Sequence, residues 1–79
     1  MNIKPTPKVK LGDNIKNIIE EKNLRRVDII REMQLSGISI TKQRLYRIEH
    51  NIVSITADEM LMLAKILKCD ISDFFQENG

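Results

Sequence analysis

The sequence predicts an all-α fold, a compact domain of five short helices. Three observations carry that prediction. Apolar residues recur at helical spacing, as in Ile15, Ile18 and Ile19, where such positions share one buried face. Helix-start residues precede the apolar runs, above all Thr56 with Glu59, which have the spacing of a capping box. Asn23, Gly37 and Asn51 then close the runs, because these residue types tolerate the left-handed backbone found at helix ends.

Composition bounds the rest. Seventy-nine residues make one domain at most. An apolar share of 42% beside 30% charged residues is globular rather than disordered. With two Phe, one Tyr and no Trp the core must be aliphatic. The single Cys69 cannot close an internal disulfide and fits a reducing cytoplasm. No apolar run approaches a membrane span, and Met1–Pro5 carries no apolar signal core, so the expected location is cytoplasmic. Net charge is +2 but unevenly placed: +4 over residues 1–26, +1 over 27–55 and −3 over 56–79. A basic first half and an acidic tail suit a polyanion bound on one side of the domain.

The expected organisation is a flexible basic arm at 1–10 and a folded domain at 11–76. Pro5 and Pro7 disfavour helix in the arm, and Lys4, Lys8 and Lys10 are solvated. The first helix starts near Gly12-Asp13, with Asp13 as its cap. It buries Ile15, Ile18 and Ile19, turns Glu20 and Glu21 outward, and stops at Asn23. The second helix starts at Arg25 or Arg26 and ends before Gly37, with Val27, Ile29, Ile30 and Met33 as its apolar face. Two cations at a helix start are mildly unfavourable, which favours a functional reason for them. In the connector, Leu35, Ile38 and Ile40 should dip into the core, and the alternation Ile38-Ser39-Ile40 is extended. Such a connector turns one helix across the next, as in a helix–turn–helix, so that the second helix projects its outer face.

The third helix spans Thr41 to His50. Thr41 caps it, and Leu45 and Ile48 anchor it through one face. Lys42, Gln43, Arg44, Tyr46 and Arg47 fill the rest of its surface. Such side chains neutralise phosphate or hydrogen-bond base edges. One basic helix in isolation is more often a plain solvated face, so its place in the chain must decide. His50 sits at the negative helix end, and Asn51 can take the left-handed cap. The lone His has no partners for metal binding or catalysis. The fourth helix opens at Thr56 and buries Met60, Leu63, Ala64 and Leu67, while Leu61, Met62 and Ile66 lie beyond that stripe. Partial burial and a self-association surface are equally good readings of those three. A last helix follows Cys69, with Asp70 and Asp73 at its cap and third position. One of Phe74 and Phe75 should fill the core, leaving the other for a partner. Cys69 should pack as a small hydrophobe.

Taken together, Leu11-Gly12-Asp13-Asn14-Ile15-Lys16, Leu45-Tyr46-Arg47-Ile48-Glu49-His50-Asn51 and Leu63-Ala64-Lys65-Ile66-Leu67-Lys68-Cys69-Asp70-Ile71 resemble a Cro/lambda-repressor-type (Xre family) helix–turn–helix domain. The resemblance covers about residues 11–75, and Leu35 to Thr41 is similar to a long-connector branch of the family. It implies a transcriptional regulator of the repressor type that binds double-stranded DNA sequence-specifically as a homodimer. Base contacts would fall on Lys42, Gln43, Arg44, Tyr46 and Arg47, and phosphate contacts on Arg25, Arg26, His50 and Asn51. Leu61, Met62, Ile66 and Phe75 are the expected dimer interface.

The chain departs from the family pattern at several places. Arg26 stands where a Gln is usual, Ile30 replaces a small Ala, and Asn51 replaces Gly. The first-helix Arg that often pairs with the third-helix Glu is Ile19 here, so Glu49 needs another partner. The loop Ile52-Val53-Ser54 lacks the family's basic residues. That loss, with the surplus apolar side chains, leaves a protein-interaction module such as an antitoxin or adaptor as the alternative. Nothing in the residues points to an enzyme, a cofactor, a small-molecule ligand or a membrane.

Overall fold

A computed structural model of the chain describes residues 2–3 and 9–77. Four α-helices follow one another: α1 (Leu11–Glu21), α2 (Arg26–Leu35), α3 (Lys42–Glu49) and α4 (Ala57–Leu67). The expected fifth α-helix is instead a 3₁₀ turn over Ile71–Phe75. The Asp73 amide donates to the Asp70 carbonyl at 2.9 Å, an i to i+3 bond, while the Asp70 amide donates to the Asp73 carboxylate at 3.0 Å. Five residues wound this tightly bring Phe74 inward without a full α-helical turn. Two short strands, β1 (Asn2–Ile3) and β2 (Ile55–Thr56), pair antiparallel, with Asn2 opposite Thr56 and Ile3 opposite Ile55. Of the arm expected at 1–10, residues 1 and 4–8, which include Lys4, Pro5, Pro7 and Lys8, lie outside the described residues.

The core is aliphatic, with one aromatic. Ile15 and Ile19 of α1, Ile29 and Met33 of α2, Leu45 and Ile48 of α3, and Leu63 and Leu67 of α4 share one buried cluster with Phe74. The α4 stripe of Met60, Leu63, Ala64 and Leu67 is buried as its spacing required. α2 contributes less than expected, because Val27 is exposed and only Ile29 and Met33 are fully buried. Leu35 does not enter the core either: it is 80% exposed, and Ile40, with Ile38 half-buried, fills the space beneath the connector. Gly37, at φ 89°, reverses the chain after α2. The Gly37 amide donates to Gln34 O and the Ile38 amide to Met33 O, which satisfies carbonyls that the helix end leaves open. The side-chain amide of Gln34 donates to Ile40 O at 2.8 Å and so pins the far end of the connector.

Three polar side chains fix how the helices meet. Buried Asn14 donates to Phe74 O at 2.8 Å and Gln76 O at 2.9 Å, tying the C-terminal turn to α1. Lys22 donates to Leu67 O at 2.6 Å and Lys68 O at 3.2 Å. A cation there closes the negative end of α4, where Lys68 turns left-handed at φ 55°. Asn51, also left-handed at φ 59°, reaches back to the start of α1. Its Oδ1 accepts the Gly12 amide at 2.9 Å, and its Nδ2 donates to Asp13 Oδ1 at 2.8 Å. α1 therefore starts one residue before Gly12 and is capped by Asn51, not by Asp13. Gly12 lies so close to α3 that a Cβ built on it would stand 2.1 Å from Ile48 O. The N-terminus of α1 is thereby locked to the C-terminus of α3.

Candidate nucleic-acid interface

α3 is built to present one face. The Thr41 hydroxyl accepts the Arg44 amide at 3.1 Å and fixes where the helix begins. Leu45 and Ile48 are buried and hold its inner side. Lys42, Gln43, Tyr46, Arg47 and His50 are all exposed. Positions 42, 46 and 50 form one row along the helix and 43 and 47 the adjacent row, since residues four apart are neighbours. The Tyr46 and His50 rings lie with centroids 4.1 Å apart at 31°.

Arg44, expected among the base-contacting residues, is bonded within the domain. Its Nε donates to Glu59 Oε2 at 2.6 Å, and its terminal nitrogen donates to Glu59 Oε1 at 2.8 Å and Ser54 O at 3.0 Å. Glu59 is buried and also closes the α4 capping box, accepting the Thr56 amide at 2.8 Å. Burial pushes the Glu59 carboxyl up, but the Arg44 guanidinium and Thr56 outweigh it, so the acid lies below its ordinary range. The guanidinium of Arg44 in turn holds its proton more tightly, because Glu59 bonds it, against the opposing effect of burial. One buried carboxylate thus joins the start of the exposed helix to the β2–α4 corner.

Arg26 is likewise committed. Nε donates to both oxygens of Glu49 at 3.1 and 3.0 Å, and its terminal nitrogen donates to Oε1 at 2.6 Å, with Glu20 at 3.7 Å. Glu49 is buried, and its hydrogen bond to Arg26 raises the guanidinium pKa against the opposing effect of burial. The partner that Glu49 lacked in α1 is therefore supplied from α2. Arg26 and Asn51, both expected at phosphate, make these internal bonds, and each remains partly exposed. Arg25 remains exposed, with only a long 4.0 Å ion pair to Asp28.

Arg26, Arg44 and Lys22 are held by internal acceptors, whereas Lys16, Lys42 and Arg47 face no acid among the described residues. These three belong to α1 and α3; Lys65 of α4 and Lys68 at its end likewise face no acid among the described residues. Of the expected interface residues, Leu61 and Phe75 are exposed and Met62 and Ile66 half-buried. Leu61 and Met62 border one groove with Ile38, but Ile66 and Phe75 are not in its walls. Cys69 is half-buried, and its thiol is pushed up by burial and by Asp73, against Lys22. No group of three His, Cys, Asp or Glu side chains comes together as a metal site among the described residues, and no helix there is long and apolar enough to cross a membrane.

A family model described as a Cro/C1-type HTH DNA-binding domain matches residues 14–76. No curated protein and no solved structure matches the chain.

Proposed function

The chain belongs to the Cro/C1-type helix–turn–helix DNA-binding family, and we propose that it is a sequence-specific transcriptional regulator of the repressor type that lays α3 in the major groove. The observation that carries this reading is the outward face of α3: Lys42, Gln43, Tyr46 and Arg47 exposed, with Lys42 and Arg47 facing no acid among the described residues. Lys42 and Arg47 would donate to guanine O6 and N7, and Gln43 would pair with adenine N6 and N7. Tyr46 would lie beside them. Arg25 and His50, at opposite ends of the helix pair, would touch phosphate, and the unbonded first amides of α2 would support Arg25. Arg44 and Arg26 would serve as positioning residues, setting the helix from beneath while others read.

One α3 spans only a few base pairs. Two copies on two half-sites, their centres about 34 Å apart, would read a longer site. Exposed Leu61 and Phe75, with half-buried Met62 and Ile66, are the residues through which the copies would meet. Selection of bound duplexes from a random pool tests the reading, followed by light scattering of the complex. A recurrent two-fold symmetric site bound by two chains is expected. Recovery of no preferred sequence at low salt would refute sequence-specific binding.

A further inference from the structure

Between α1 and α3 lies a cleft of about 270 Å³, walled by Lys16, Lys42, Tyr46 and His50, with Arg26 and Glu49 at its floor. Its charges are unequal. Arg26 and Glu49 neutralise one another through their bidentate pair, whereas Lys16 and Lys42 have no acid partner among the described residues. Two further carboxylates flank Lys16 on α1, and both are engaged elsewhere: Glu20 leans on Arg26 at 3.7 Å, and Asp13 accepts from Asn51 Nδ2 at 2.8 Å. The cleft is therefore cationic at its mouth and closed beneath by a neutral pair. The Tyr46 and His50 rings lie tilted against each other at its edge, which sets an aromatic wall beside the cations. The DNA backbone has matching parts, an anionic phosphodiester and the C–H face of a deoxyribose.

We propose that this cleft seats one phosphate of the DNA backbone, with Lys16 of α1 as its ligand and the Tyr46–His50 edge against the adjoining sugar. The inference rests on the reading that α3 enters the groove. It adds a backbone contact from α1, which lies beside the helix pair, and thereby compensates for the uncharged loop Ile52-Val53-Ser54.

The test pairs Lys16→Gln and Lys16→Arg chains with selected duplexes in which single backbone phosphates are made neutral methylphosphonates. One lost phosphate contact lowers the slope of log affinity against log salt by about 0.9, so the gap to wild type should narrow about 3-fold between roughly 50 and 200 mM salt. Lys16→Gln should show that change equally on every sequence, and Lys16→Arg should retain the wild-type slope. One methylphosphonate position should weaken wild type and leave Lys16→Gln unaffected. Equal losses for both proteins at every neutralised phosphate overturn the cleft assignment. If Gln43→Ala and Arg47→Ala leave base preference unchanged, the groove reading itself fails; if they alter it while Lys16→Gln binds like wild type, only the cleft fails. Inorganic phosphate, titrated onto the free chain, should shift the Tyr46 and His50 resonances only weakly, because the duplex supplies many contacts at once. Saturation by phosphate at concentrations that leave the duplex unbound would instead assign the cleft to a free anion.

Discussion

Arg44→Ala should unfold the domain more readily without erasing its base preference. The side chain makes two bonds to buried Glu59 and one to Ser54 O. Removing one partner of a buried pair costs about 3–5 kcal/mol, because the other charge is left unmatched. Two features reduce that figure here. Arg44 is 32% exposed, so water can enter the space it leaves, and the Thr56 amide still holds Glu59. A loss of about 2–3 kcal/mol is the better figure. A domain of this size shifts about 4–8 °C per kcal/mol, so thermal melting followed by circular dichroism should show a fall of roughly 10–20 °C. Below the new midpoint, the folded chain should discriminate among duplexes as wild type does. Arg44→Lys cannot keep the bidentate geometry and should recover only part of the stability. A melting point within about 4 °C of wild type, the range of an exposed change, together with lost discrimination at one base pair, would refute this and return Arg44 to the reading face.

Gly12→Ala should destabilise the chain by at least about 1–3 kcal/mol in urea titration, despite the helix propensity gained, because the new methyl meets Ile48 O; a stabilised variant would mean that α1 and α3 are further apart. Asn51→Ala removes the α1 cap and should cost about 1–2 kcal/mol, whereas a variant whose melting is unchanged would free Asn51 for a phosphate. Glu59 also sets a pH dependence. Its folded carboxyl titrates below the unfolded value of about 4.3, so its stabilisation is complete above that pH and is lost as pH falls through the folded value. Urea titrations of wild type and Glu59→Gln should therefore differ most near neutrality and converge in acid; a gap that is constant with pH would remove the carboxylate from the account.

Much of the architecture was legible because local chemistry dictates it. The spacing of Ile15 and Ile19, and of Met60, Leu63 and Leu67, could place those side chains only in a core, and Thr41 and Thr56 announced their helices. The exposed row on α3 was legible for the same reason, since Leu45 and Ile48 orient the rest. What the sequence concealed were pairings between distant residues. Arg26 in place of Gln and Ile19 in place of Arg look like two anomalies in one dimension. In three they are one feature, because the buried Glu49 receives from α2 the guanidinium that α1 lacks. Arg44 was hidden differently: every basic residue on a helix looks alike until the capping carboxylate of Glu59, fifteen positions on, turns out to lie beside it. Leu35 misled because apolarity does not guarantee burial. Gln34 and Ile40 close the connector above the core, and Leu35 remains in water. The last helix is a 3₁₀ turn rather than the α-helix its spacing predicts, because its aspartates satisfy capping spacing in either.

Base reading by α3 is tested most directly by measuring Gln43→Ala and wild type, at one fixed salt concentration, against the selected site with each base pair replaced in turn. Wild type should discriminate at one adenine-containing pair by about 1–3 kcal/mol, and the variant should lose that discrimination there and nowhere else, with its melting point unchanged. A variant with the wild-type profile at every position, and the same result for Arg47→Ala, would contradict the placement of α3 in the groove.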